Sequence, residues 1–224
     1  HYRIAPGVNF QARLTQELGD KSMVLLLESP GILDSEWTTY EINVAKQSRL
    51  GIFALHLPSG EPVPGIHDDV RQRLDGSAFV GGTFSAAAVL APAVLAAVVE
   101  RVKREHDRAL VHRLSVLRTS FADALLLAGE TRYAFDAYGI LHVDRRTAPR
   151  YRVWFSPRPP ELEDFHLTAL HSEPPVRGVV VGLSHLMEPT RQRCLGWLAD
   201  LCQLHLFDEG RLNEAAIAIA RGTL

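Results

Sequence analysis

Met23 to Leu57 reads MVLLLESPGILDSEWTTYEINVAKQSRLGIFALHL, and the rest of the chain is interpreted outward from it. Two short apolar runs, Met23–Leu27 and Ile52–Leu57, flank a polar segment of helical character. Neither run alternates as a half-exposed strand does, so each is expected to be a strand buried on both faces. A strand, a crossover of this length and a second buried strand make a βαβ unit, parallel and right-handed. Ligands of such sheets bind beyond the carboxyl ends of the strands. Glu28, Ser29 and Pro30 stand at that end of the first strand.

The segment between the runs has its own mechanics. Asp34 or Ser35 can cap a helix by accepting a bond from one of its free N–H groups. Glu36 then falls in the first turn, where the helix dipole favours negative charge. Trp37 and Glu41 are four residues apart and share one helical face, with Ala45 extending the stripe toward the core. Glu41 is thus a carboxylate beside an indole, near the start of a helix at the mouth of the sheet.

The run SPGILDSEWTTYEINVA resembles the Toll/interleukin-1 receptor (TIR) domain, in which a strand and a Ser-Pro turn precede S-x-W-x-x-x-E at the opening of a helix. Upstream, APGVNFQARLTQEL is similar to the Pro-Gly loop of that family and the helix after it, with Pro6 and Gly7 in the loop. The similarity covers roughly Arg3 to Leu57 and reaches Glu105 at most. It implies a flavodoxin-like α/β fold with a parallel sheet. A complete member has a strand, a helix and a strand before the Pro-Gly loop. This chain starts at His1 almost inside that loop, so the domain is expected to be N-terminally incomplete.

The resemblance also implies an activity. In many TIR domains the helix glutamate is the catalytic residue of NAD+ cleavage, and the matching residue here is Glu41. NAD+ would be the substrate, and no cofactor or metal is implied. Glu28 is a second candidate carboxylate, and Ser29 and Ser35 are candidate pocket residues. Trp37 is assigned first to backing the helix into the core, and second to substrate stacking. The Pro6–Gly7 loop would border the nicotinamide side or form contacts between subunits. The chemistry suits one carboxylate. The leaving group is already a cationic pyridinium and needs no general acid, while a carboxylate near the ribose stabilises the oxocarbenium-like state.

Three functions follow. The first is an NAD+ glycohydrolase activated by self-association through TIR contacts, yielding nicotinamide and ADP-ribose or its cyclised form, as in effectors of bacterial antiviral defence. The second is a non-catalytic scaffold that assembles through the same contacts. The third is a nucleotide-signal binding protein with its ligand held in the C-terminal half; in any of these readings the C-terminal domain is a candidate seat for a small-molecule or protein activator.

Bulk properties set the frame. A chain of 224 residues has room for one large or two small cores. A formal charge of −2 gives no electrostatic reason to expect nucleic acid or an anionic membrane. Cys194 and Cys202 offer no disulfide framework and suggest a reducing cytoplasm. Ala78–Val99 is uncharged and long enough to span a bilayer. Its alanines, Gly81, Gly82 and Pro92 favour a helix within a soluble domain instead.

The expected organisation is a TIR-like domain over 1–105, a helical connector over 106–129 and a smaller α/β or α+β domain over 130–224. The proline- and glycine-rich PSGEPVPG is read as a surface loop, with gating of the site as the alternative. Ile66–Leu74 is expected to be a short helix whose His67, Asp68 and Asp69 need only the dipole, not a metal. A long helical tract should run from Phe84 to Ala128, broken near Pro92 and Asp107. Beyond it, Tyr133–Phe135, Ile140–Val143 and Tyr151–Phe155 read as strands. GVVVGL, a helix over Thr190–Leu201, the strand Gln203–Phe207 and the helix Leu212–Arg221 complete a β-α-β-α rhythm. GVVVGLSH lacks the dinucleotide fingerprint, and the adjacent Ser184 and His185 form no nucleophile–base pair. Trp154 and Trp197 are expected in the core.

Overall fold

The computed structural model describes Leu18 and residues 21–85, 87–146, 149–170, 172, 176–184 and 187–224. The chain forms two compact units, His1–Leu110 and Val111–Leu224, each mixing helices with a sheet that contains parallel strands.

In the first unit, β1 (Met23–Glu28), β2 (Gly51–His56) and β3 (Arg71–Arg73) lie parallel in the order β1-β2-β3. The crossover from β1 to β2 carries α1 (Glu36–Gln47). Ser35 caps this helix: its Oγ accepts the Thr38 N–H at 3.3 Å. Ile42, Val44 and Ala45 are the residues that α1 buries.

Burial on both faces holds for β2, where Phe53 and Ala54 are sealed from solvent. It fails for β1. Leu26 and Glu28 are buried, whereas Leu25 and Leu27 are 45% and 51% exposed. β1 is the terminal strand of its sheet among the described residues, so it alternates in environment although its sequence does not alternate in polarity.

Ile66–Leu74 is not a helix. A 3-10 turn, Asp68–Val70, leads into β3, which pairs with Ala54–His56. Three residues reading Arg-Gln-Arg carry no period, and it is the ladder to β2 that makes them a strand. The stretch after β3 is also irregular. A second 3-10 turn, Gly76–Ala78, and an antiparallel bridge from Phe79 to Leu90 occupy it, with Gly81 and Gly82 at φ of 84° and 71°.

The long helix is α2 (Pro92–Leu127). Pro92 starts it rather than breaking it, because the missing N–H falls where a helix has no partner to offer. The helix continues through Asp107, with Arg101 and Glu105 paired one turn apart at 2.8 Å. Gly129 ends it in the left-handed region, and the Glu130 N–H reaches back to the Leu125 carbonyl at 2.9 Å. No described helix is long and apolar enough to cross a membrane.

Val98 and Val102 of α2 pack with Phe53 and Leu55 in the first unit. Leu117, Phe121 and Leu125 belong to the core of the second. Residues 111–127 are therefore structural members of the second unit and not a bare connector.

The second unit is built on the sheet order β4-β5-β6-β7-β8. β4 (Tyr133–Phe135), β5 (Leu141–Val143) and β6 (Arg150–Phe155) are antiparallel, and β7 (Val176–Gly182) and β8 (Leu204–Asp208) continue parallel to β6. α3 (Leu162–Leu170) links β6 to β7, α4 (Pro189–Leu201) links β7 to β8, and α5 (Leu212–Arg221) follows. Leu117, Phe121 and Leu125 of α2, with Ala215 and Ile219 of α5, pack on Val179 and Val181 of β7. Phe165 of α3 and Leu195 and Ala199 of α4 pack around Val180. Alternation along β7 sends these valines to opposite faces, so the sheet is covered on both. Trp197 lies outside this core at 66% exposure. Trp154 is half-buried and donates its Nε1–H to Asp164 at 2.8 Å.

Candidate functional site

The candidate site of the first unit is assembled where β1 gives way to α1. Ser29, Pro30 and Gly31 turn the chain, with Gly31 in the left-handed region at φ 74°. The 3-10 turn Ile32–Asp34 then delivers Ser35 to its capping position. Ser29 is half-buried at the strand end, and its carbonyl accepts the Ile32 N–H at 3.2 Å. The Ser35 hydroxyl is committed to the cap.

Glu28 is fully buried, and both of its oxygens are occupied. Oε1 accepts the Val63 N–H at 2.8 Å and an Arg71 Nη2–H at 3.1 Å. Oε2 accepts the Arg71 Nε–H at 2.9 Å and meets His56 Nδ1 at 3.1 Å. Arg71 also donates to the Val63 carbonyl at 3.2 Å and to Asp68. Its hydrogen bond to Glu28 is the largest cause holding Arg71 above the ordinary guanidinium range.

This network binds the ends of β1 and β2, the start of β3 and the PSGEPVPG loop into one piece. The loop is pinned, with Val63 and Ile66 buried. Gly60 is required there, because a Cβ would stand 2.0 Å from the Glu28 carbonyl oxygen. A carboxylate with this set of donors holds architecture together and has no lone pair aimed at a ligand.

Glu41 differs in every respect. It lies in the second turn of α1, half-buried, and burial pushes its carboxyl pKa up. Among the described residues, none forms a hydrogen bond or ion pair with its carboxylate. Trp37, one turn earlier, is 49% exposed. It does not back the helix into the core; Ile42, Val44 and Ala45 do. Trp37 lies in the first turn of α1, and the residues that the helix buries all come later in it. Pro6 and Gly7 lie outside the described residues.

His56 and Arg71 were the partners that sequence reasoning missed. The register pairs Glu28 with His56, so drawing the ladder between the two apolar runs would have found the histidine. Arg71 carried no signal, since its strand was not legible.

In the second unit the strand ends are equally committed. Asp208 accepts the Ser184 N–H and Oγ–H at 2.9 and 3.0 Å and the Gly210 N–H at 2.8 Å. Glu209 pairs with the buried Arg113 at 2.7 Å. Asp164 accepts from Trp154, from the Ser156 hydroxyl at 3.0 Å and from the Glu161 N–H at 2.8 Å. Ser184 is therefore a clamp on Asp208.

Comparison of the chain with protein-family profiles, curated proteins and solved structures returned no significant match.

Proposed function

We propose that the first unit is a flavodoxin-like TIR domain and that the protein is an NAD+ glycohydrolase in which Glu41 is the catalytic carboxylate. The observation that carries this reading is the contrast between two carboxylates, Glu28 at the end of β1 and Glu41 in the second turn of α1. Glu28 is saturated by Arg71, His56 and the Val63 amide, whereas Glu41 is partly buried, its pKa is raised by that burial, and no described residue pairs with it. A partly desolvated carboxylate without a partner is costly to the free protein. It suits a cation that exists only during reaction, such as the oxocarbenium-like ribose formed as nicotinamide leaves. The half-exposed indole of Trp37, one turn before Glu41, would supply the apolar surface of that site.

The three parallel strands in chain order and the Ser35-capped helix after the first are consistent with the resemblance. In this reading the enzyme is switched on by self-association, as an antiviral effector would be, and the second unit serves sensing or assembly. The test is nicotinamide release from NAD+ by the full chain at high concentration, beside Glu41→Gln and Glu28→Gln. Release that is lost only in Glu41→Gln supports the assignment. Undiminished release by Glu41→Gln refutes its role, and silence from a folded, self-associated wild type favours the scaffold.

A further inference from the structure

The amino ends of β6, β7 and β8 gather donors that have no acceptor. Tyr151 of β6 and Arg177 of β7 are ladder partners, and alternation puts Arg177 and His205 of β8 on the sheet face that carries Val179. Tyr151 is sealed from solvent, yet its hydroxyl has no hydrogen-bond partner. The Leu224 backbone approaches it short of a full hydrogen bond, and the charges that act on it are the guanidiniums of Arg177 and Arg145. Burial raises its pKa, so the phenol stays a donor. Arg113, Arg152, Arg158 and Arg211 of this unit are each paired with a carboxylate. Among the described residues Arg177 and Arg145 are not. Arg145 lies against Gly222 at the end of α5, where the helix dipole alone favours a cation. Arg177 and the Tyr151 hydroxyl have no such account, and a buried polar group without a partner in a native fold points to an acceptor still to arrive.

A cavity of about 800 Å³, within the range of small-molecule sites, opens at this place. Arg177, His205, Ser172 and Leu224 line it, and Asp200 is the one carboxylate side chain among its described lining residues. The Ser172 Oγ is also buried without a hydrogen-bond partner. Burial and then Arg177 push the His205 pKa down, so its ring is neutral at pH 7 and keeps one N–H to donate. Asp200 acts on His205 through its charge but pairs with neither His205 nor Arg177. At the other ends of β7 and β8, where such sheets usually take ligands, Ser184 and Asp208 are committed to each other.

We propose that this cavity binds a sugar phosphate, with the phosphate on Arg177, His205 and the Tyr151 hydroxyl and the sugar hydroxyls turned to Asp200 and Ser172. A phosphate ester brings three acceptor oxygens to a guanidinium, an imidazole N–H and a phenol, whereas a carboxylate brings two. Asp200 accepts from neutral hydroxyl groups and repels a second anion, so the ligand carries its charge at one end. Ser172 supplies a hydroxyl that nothing else in the described chain uses.

The test is calorimetric titration of the full chain with ribose 5-phosphate, inorganic phosphate and ribose. The wild type is expected to bind ribose 5-phosphate with a Kd below about 1 mM and inorganic phosphate about tenfold more weakly, with no heat from ribose. Arg177→Gln, at an exposed position, should weaken the ester about tenfold. Tyr151→Phe should weaken it about fivefold without lowering the melting temperature, because the hydroxyl has no hydrogen bond to lose. Asp200→Asn should narrow the gap between the ester and inorganic phosphate. A folded wild type that binds no ester at about 10 mM overturns the inference. So does binding that Arg177→Gln and Tyr151→Phe both leave unchanged, since the ester then sits elsewhere, the Glu41 site included. Inorganic phosphate binding as tightly as the ester overturns the sugar phosphate assignment, and a clearly lower melting temperature for Tyr151→Phe overturns the unpartnered hydroxyl.

Discussion

Replacing Glu28 by glutamine preserves its size and removes its charge, leaving Arg71 buried, with 6% of its side chain exposed, against a neutral partner. Breaking one side of a buried ion pair costs about 3–5 kcal/mol. Two features moderate that here: Asp68 still contacts Arg71, and the glutamine oxygen still accepts one N–H, worth about 1 kcal/mol. The expected loss is therefore about 2–4 kcal/mol. Arg71→Met should cost a similar amount, because it strands the carboxylate. The double variant should cost less than the sum by about 2 kcal/mol, since neither group is then left uncompensated. Urea unfolding of the full chain, with hydrogen exchange over Ile52–Leu55, isolates the first unit from the second. Single losses that add within about 0.5 kcal/mol would refute the coupled network, as would a Glu28→Gln loss below about 1 kcal/mol.

The remaining predictions concern α1. Burial raises the folded pKa of Glu41, so its proton is lost from the unfolded chain first as pH rises. Stability from this group is unaffected below the unfolded value, falls as pH climbs to the raised folded value, and stays lowered above it. Glu41→Gln should accordingly melt no lower than wild type at pH 7 and match it near pH 3, and a clear destabilisation at pH 7 would sink the argument. Ser35→Ala removes the cap and should cost about 1 kcal/mol, measured by urea titration, with wild-type stability counting against it. Trp37→Ala should cost under about 1 kcal/mol because the indole is half-exposed, whereas a core tryptophan would cost about 3–5 kcal/mol. Under the proposed function it should also raise the KM for NAD+, and an unchanged KM removes Trp37 from the substrate site.

The elements themselves were largely legible in the chain. The βαβ core of Met23–Leu57, the Ser35 cap and the strand–helix alternation after Glu130 follow from apolar runs, short-range spacing and turn residues. Those signals act within a few residues and survive without knowledge of the fold. α5 over Leu212–Arg221 lies where its period places it. β3 was not legible, because three polar residues become a strand only when β2 is beside them. The same limit applied to environment. An apolar run does not say whether it will sit at a sheet edge, so the sequence points Leu25 and Leu27 of β1 and Trp37 of α1 to the core, whereas they stand 45%, 51% and 49% exposed.

The candidate site divides along the same line. The spacing of Ser35, Trp37 and Glu41 on one helix was written in the sequence, as was the place of Glu28 at a strand end. What tertiary structure decided was the difference between the two carboxylates. Glu28 is claimed by an arginine 43 residues away and by an amide 35 residues away, while Glu41 is partly buried with no such donor among the described residues. A carboxylate's chemistry depends on the donors and charges within a few ångströms of it. Those neighbours arrive from distant parts of the chain only when the strands align.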